Sequence, residues 1–329
     1  MRILMLLVGV LATFGAGAEE RLQVSAGVAH DTNFESTYGW QLDYAHGFNE
    51  HAFLAFGWIN EGHQVDNHRD GFAAQIWARA GLSENLSFAF GAGGYAYFDT
   101  VRDQPHPTTA PYDNNHGLAL ITSAELTWYM DQPWQVYLRA NRMQAEGQLT
   151  TMVLIGVGYE FDARSSHAPG HDPAPGGPSP ADESFDNEMA LYLGRSTLNS
   201  FAVEGASAYA VEYRRSLARY ADWSVSWLDE GSNNIISRRG VASQLWLVGP
   251  MLHERLAFGL GMGIYIAADQ DDKVPNIDDS EDKRVSGILS LSASYRFDPR
   301  WFARLSFNRI VTRYDRDADV ILLGGGYRF

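Results

Sequence analysis

The chain has 329 residues, with 25 Lys and Arg against 40 Asp and Glu, and a formal net charge of −15 at pH 7. That acidic balance argues against nucleic acid as a partner. Cysteine is absent, so disulfides contribute nothing to stability, and lysine occurs only at Lys273 and Lys283.

Met1-Arg2 gives a charged start, Ile3 to Phe14 is apolar, and Ala16-Gly17-Ala18 is a small-residue cleavage signal. This order predicts a secretory leader over 1–18. No later apolar run reaches the roughly 20 residues that a membrane helix needs, so a membrane location requires strands.

The following segments alternate with period two. Leu86, Phe88 and Phe90 alternate with Ser87, Ala89 and Gly91; Trp134, Val136 and Leu138 alternate with Gln135, Tyr137 and Arg139. One face is bulky and apolar. The other is small or polar and carries Asp43, Glu125 and Arg139 in mid-strand. That is the pattern of a barrel with an apolar outside and a polar, packed inside. Strands are expected near 21–30, 37–46, 52–60, 70–80, 86–98, 117–128, 134–143 and 150–161. Short connections alternate with longer ones, as periplasmic turns alternate with outer loops.

The scheme then repeats near 188–197, 206–216, 222–230, 238–249, 255–268, 284–296, 301–311 and 319–329. Trp58-Ile59-Asn60-Glu61-Gly62 returns as Trp227-Leu228-Asp229-Glu230-Gly231, and Gln75-Ile76-Trp77 as Gln244-Leu245-Trp246. Tyr95 maps onto Tyr265, and Asn141-Arg142 onto Asn308-Arg309. A repeat this long is a whole folding unit copied. The expected organisation is a leader at 1–18, one eight-stranded unit at 19–161, a linker rich in Pro and Gly at 162–187, and a second unit at 188–329. The fold class is all-β, a transmembrane antiparallel barrel. Two tandem eight-stranded barrels are favoured over one sixteen-stranded barrel, because small inward residues suit a crowded lumen. Each copy also holds its own charges to pair: Asp43 and Glu125 with Arg139, and Glu212 with Arg304.

Candidate chemistry concentrates in 61–70, expected as the second outer loop. There Glu61, His63, Asp66 and His68 group as a general-base or metal cluster. The second copy retains only the Glu-Gly and an arginine, which marks those three as structural. Arg69, Arg142, Arg238 and Arg309 are candidates for lipid phosphate. Asp271, Asp272, Asp278 and Asp279 crowd one loop as candidate ligands for a divalent cation. No other cofactor is implied. Tryptophan and tyrosine at strand ends (Trp58, Tyr97, Trp128, Trp134, Trp227, Trp246, Trp301) suit a membrane interface.

The terminal Tyr327-Arg328-Phe329 resembles the closing aromatic signature of bacterial outer-membrane proteins, which implies recognition of Phe329 by their assembly machinery. In barrel size, strand count and membrane address the chain also resembles the lipid A 3-O-deacylases, whose Ser-His-Glu triad works near the outer leaflet. His30-Asp31-Thr32-Asn33 is the nearest spacing to that family's motif, with Thr32 where serine belongs, so no triad is carried over. Three functions follow as expectations. The first is an outer-membrane protein with a structural or surface-binding role through its loops, facing lipopolysaccharide. The second is a lipid A or phospholipid acyl hydrolase, and the third a porin-like channel.

Overall fold

A computed structural model describes residues 19–32, 36–64, 67–102, 112–130, 133–145, 147–161, 187–200, 205–218, 220–251, 255–273 and 284–329. The expected leader, and the linker as far as residue 186, lie outside the described residues. Among the described residues the regular structure is all strand. The first eight strands are β1 (Glu20–His30), β2 (Ser36–Asn49), β3 (Ala52–Gln64), β4 (Asn67–Ser83), β5 (Leu86–Arg102), β6 (Tyr112–Tyr129), β7 (Trp134–Ala145) and β8 (Gln148–Glu160). The second eight are β9 (Asn187–Leu198), β10 (Gly205–Ala218), β11 (Ala221–Ser232), β12 (Ile236–Met251), β13 (Leu256–Asp272), β14 (Val285–Arg296), β15 (Trp301–Val311) and β16 (Ala318–Arg328).

Two closed barrels result. In the first, β1 pairs antiparallel with β8, from Arg21 opposite Glu160 to His30 opposite Thr151. In the second, β16 pairs with β9, from Ala318 opposite Leu198 to Arg328 opposite Glu188. The sixteen-stranded alternative is thereby excluded: each wall satisfies its own edge before the next begins, which leaves no open strand to join the other copy. Two ends can be told apart in each barrel. The turn end carries the chain termini of the unit and the connections 49–52, 83–86 and 129–134 in the first barrel, or 218–221, 251–256 and 296–301 in the second, while the loop end carries the others.

Alternation sorts side chains across each wall. In the first barrel Val24, Phe88, Phe90, Leu138 and Ile155 are exposed; in the second Leu191, Leu193, Ile264, Leu305 and Leu323 are exposed. An exposed apolar wall of this extent is foreign to a water-facing surface. Inside, Ser87, Ala89, Gln23 and Arg139 are buried. The inward face is not uniformly small. Trp77 and Trp246, at equivalent positions, are buried within the two lumens, and glycine makes the room. A Cβ on Gly91 would lie 2.4 Å from the Trp77 ring, and one on Gly261 2.8 Å from Trp246. Of the aromatics expected at the interface, Trp128, Trp134, Trp227 and Trp301 are exposed. Trp246 and Tyr97 are buried, and Trp58 is buried against Phe72, edge to face at 4.6 Å between centroids.

Candidate functional site

The lumen of the first barrel is filled by one charged network at mid-height. Arg139 on β7 donates to Asp43 on β2 and to Glu125 on β6, and its Nη2 donates to Gln23 Oε1 at 2.9 Å. Its guanidinium carbon lies 5.1 Å from the centroid of Trp77. Period-two alternation on five strands aims these groups at one point. Two carboxylates around one arginine, all removed from solvent, persist only with full hydrogen bonding. The second barrel uses a related but displaced arrangement. Arg304 on β15 meets Glu212 on β10 at 2.9 Å and Glu188 on β9 at 2.5 Å, and Arg214 lies 3.8 Å over Trp246.

Beside these charges runs a ladder common to both copies. Gln75 Nε2 donates to Ser123 Oγ at 2.9 Å, which donates to Asn141 Oδ1 at 2.7 Å. Gln244, Ser290 and Asn308 repeat this at 2.7 Å and 2.7 Å. The repeated glutamine and asparagine are therefore interior ties across the lumen.

Much of the expected loop is strand: β3 runs to Gln64 and β4 starts at Asn67, with Asn60 opposite Asp70 and His63 opposite His68. Between those pairs Glu61 and Gly62 oppose the single residue Arg69, which makes a β-bulge. Glu230 and Gly231 oppose Arg238 in the same way. The bulge needs a left-handed residue, and Gly62 (φ 82°) and Gly231 (φ 74°) supply it. Asn60 Oδ1 accepts from Gly62 N at 2.9 Å, and Asp229 Oδ1 from Gly231 N at 2.8 Å. The repeated Asn/Asp-Glu-Gly is thus a bulge that turns its glutamate inward to the repeated arginine. Arg238 grips Glu230 with two bonds, 2.6 and 2.7 Å. In the first copy the pair has loosened. Arg69 lies 3.9 Å from Glu61 and is drawn instead to Asp99 at 2.7 Å and Gln148 at 3.0 Å.

These positions correct the assignment of three arginines to lipid phosphate. Arg69, Arg238 and Arg309 are buried and ion-paired, to Asp99, to Glu230 and to Asp319 respectively. A guanidinium held by carboxylates inside a wall cannot reach a headgroup. Arg142, near the loop end of β7, is exposed. Glu61 is likewise buried and structural, while His63 is exposed and His68 half-buried. Asp66, Asp278 and Asp279 lie outside the described residues. Asp271 and Asp272 end β13, and among the described residues no group of three or more His, Asp or Glu gathers to hold a metal.

Two features escaped the reading of the sequence. At the loop end, His30 Nδ1 and Ser36 Oγ are 2.9 Å apart across the first hairpin. They are directly opposed on β1 and β2, a relation visible only once the register is known. At the turn end, Glu19 receives Arg79 at 3.0 and 2.5 Å and lies 3.4 Å from Arg21. Burial alone would raise the Glu19 carboxyl, but the charges of Arg79 and Arg21 and the hydrogen bond from Arg79 hold it at about 2.

No family model matches the chain, and no curated protein matches it either. Solved structures similar to it include Ail, the attachment invasion locus protein of Yersinia pestis, at 12% identity over 44% of this chain and 99% of that one (TM-score 0.34). The N-terminal β-barrel domain of Pseudomonas aeruginosa OprF is similar at 16% identity over 45% and 99% (TM-score 0.34). Neisserial surface protein A is similar at 11% identity, again over 45% and 99% (TM-score 0.36).

Proposed function

We propose that this chain is an outer-membrane protein made of two filled barrels, with a structural or surface-binding role through its loop ends. The observation that carries the reading is the inversion of each barrel: an exposed apolar wall around a lumen packed with ion pairs. A closed wall satisfies every backbone group, so only the outer side chains meet the solvent, and here they suit lipid. Export through the leader at 1–18 and insertion through Phe329 belong to the same reading. Phe329 is exposed, and its backbone exchanges hydrogen bonds with Asn187. Of the four candidate arginines, Arg142 is the exposed one that would meet lipopolysaccharide phosphate. The test is cell fractionation with surface labelling of intact cells. Recovery in the outer membrane with loop-end labels accessible supports the reading; recovery in the soluble fraction contradicts it.

A second reading, an acyl-ester hydrolase at the outer leaflet, is favoured by the His30–Ser36 pair. A serine needs an adjacent base to act as a nucleophile, and His30 is at bonding distance. Mass spectrometry of lipid A and phospholipids decides it. Acyl chains lost with the wild type and retained with Ser36→Ala support it, and identical patterns with and without the protein remove it. The porin reading required one larger barrel, whereas each wall here closes after eight strands.

A further inference from the structure

The two copies diverge at the residue pair just beyond the shared bulge. Register places His63 opposite His68 in the first barrel and Ser232 opposite Ser237 in the second. Directly opposed residues on antiparallel strands hold their Cβ atoms about 4.5–5.5 Å apart, near enough for two imidazoles to meet. The two rings are stacked, 4.2 Å between centroids and 29° between planes. Tyr38 closes one side, its ring 6.1 Å from that of His63.

The bulge also sets the tautomer of His68. Asn60 Oδ1 is engaged by Gly62 N, so the amide nitrogen faces His68 Nε2, at 3.1 Å. An amide nitrogen only donates, so Nε2 must accept and carry its lone pair. His68 is therefore held in the form whose Nε2 can bind a cation in exchange for the amide proton. Imidazole nitrogens bind zinc at about 2.0–2.1 Å. Rings already stacked at this distance can converge on one ion by side-chain rotation alone, with the backbone fixed by the ladder.

We propose that His63 and His68 chelate one divalent transition-metal ion, of the zinc, nickel or copper class, at the loop end of the first barrel. Two neutral imidazoles suit these ions, whereas calcium and magnesium take oxygen ligands. Water completes the coordination, so the site is an open chelate that takes up metal reversibly and not a closed structural centre. The proposal is independent of the role given to the loop ends above, because it needs only the register and the two side chains.

The test is calorimetric titration of the full chain, folded in detergent at neutral pH, with zinc chloride. The expected result is one zinc per chain. In His63→Ser/His68→Ser, which installs the residues that the second barrel carries at this register, zinc affinity should fall by more than the roughly 10–100-fold that loss of an outer-shell partner costs. The reciprocal Ser232→His/Ser237→His should raise the stoichiometry to two. Heat-dependent gel mobility checks that each variant is folded. No zinc uptake by the wild type, zinc affinity unchanged in the serine variant, or a stoichiometry that stays at one in the histidine variant would each overturn the proposal.

Discussion

Single residues in the lumens carry strict requirements. Arg139 balances Asp43 and Glu125 where none of the three reaches water. Arg139→Met would leave two carboxylates uncompensated, at a cost of about 3–5 kcal/mol. Adding Asp43→Asn and Glu125→Gln should recover most of it. Urea unfolding in detergent micelles measures both; a single variant as stable as the wild type contradicts the network. Glu19 gives a pH prediction. Its folded value of about 2 lies below the ordinary 4.5. Its contribution is therefore complete above about 4.5 and is lost as pH falls toward about 2. Glu19→Gln should remove that share of the acid sensitivity and leave stability above neutral pH lower than in the wild type. Parallel unfolding curves for the two proteins across this window would refute it. The charges in this network were legible because Asp43, Glu125 and Arg139 share the parity of small residues. Trp77 was not, since a large ring on the inward face is admitted only by Gly91 on the neighbouring strand, and pairing of strands is not written in either segment alone.

At the scale of the element, the bulge explains what the duplication kept. Glu-Gly and the facing arginine recur because the bulge turns a glutamate inward against its partner. Gly62→Ala forces a side chain into a left-handed backbone, costing about 1–2 kcal/mol. Its Cβ would also stand 2.0 Å from the carbonyl oxygen of Tyr38. Gly231→Ala meets the carbonyl of Ser207 at 2.3 Å. Both should lower the unfolding midpoint clearly more than Gly147→Ala, whose positive φ (80°) carries the backbone cost while its Cβ would meet nothing within 4 Å. Equal losses at all three positions would show that the bulge contributes nothing special. The strands were legible from period-two alternation, but the stretches 61–64 and 67–70 were not. A bulge shifts the alternation by one residue, and the polar, glycine-containing sequence that builds it is also the composition of a loop.

For the whole molecule, each copy closes its own barrel, and each wall is expected to keep its fold without the other. Cutting the chain at a protease site inserted within 162–186 should yield two fragments that each keep heat-dependent gel mobility; loss of folded mobility on cutting would show that the walls depend on continuity. The number of barrels was legible as a preference, from small inward residues and from charges that each copy could pair for itself. It was not decided there, because eight-stranded and sixteen-stranded walls share one alternation and one turn pattern. Both lumens are filled, not open. An eight-stranded barrel has room only for side chains, and Arg139 and Arg304 with their carboxylates occupy that room. Reconstitution of the purified full chain in a planar lipid bilayer tests this most directly. Filled lumens should show no steady conductance, and stable, voltage-independent channels would contradict them.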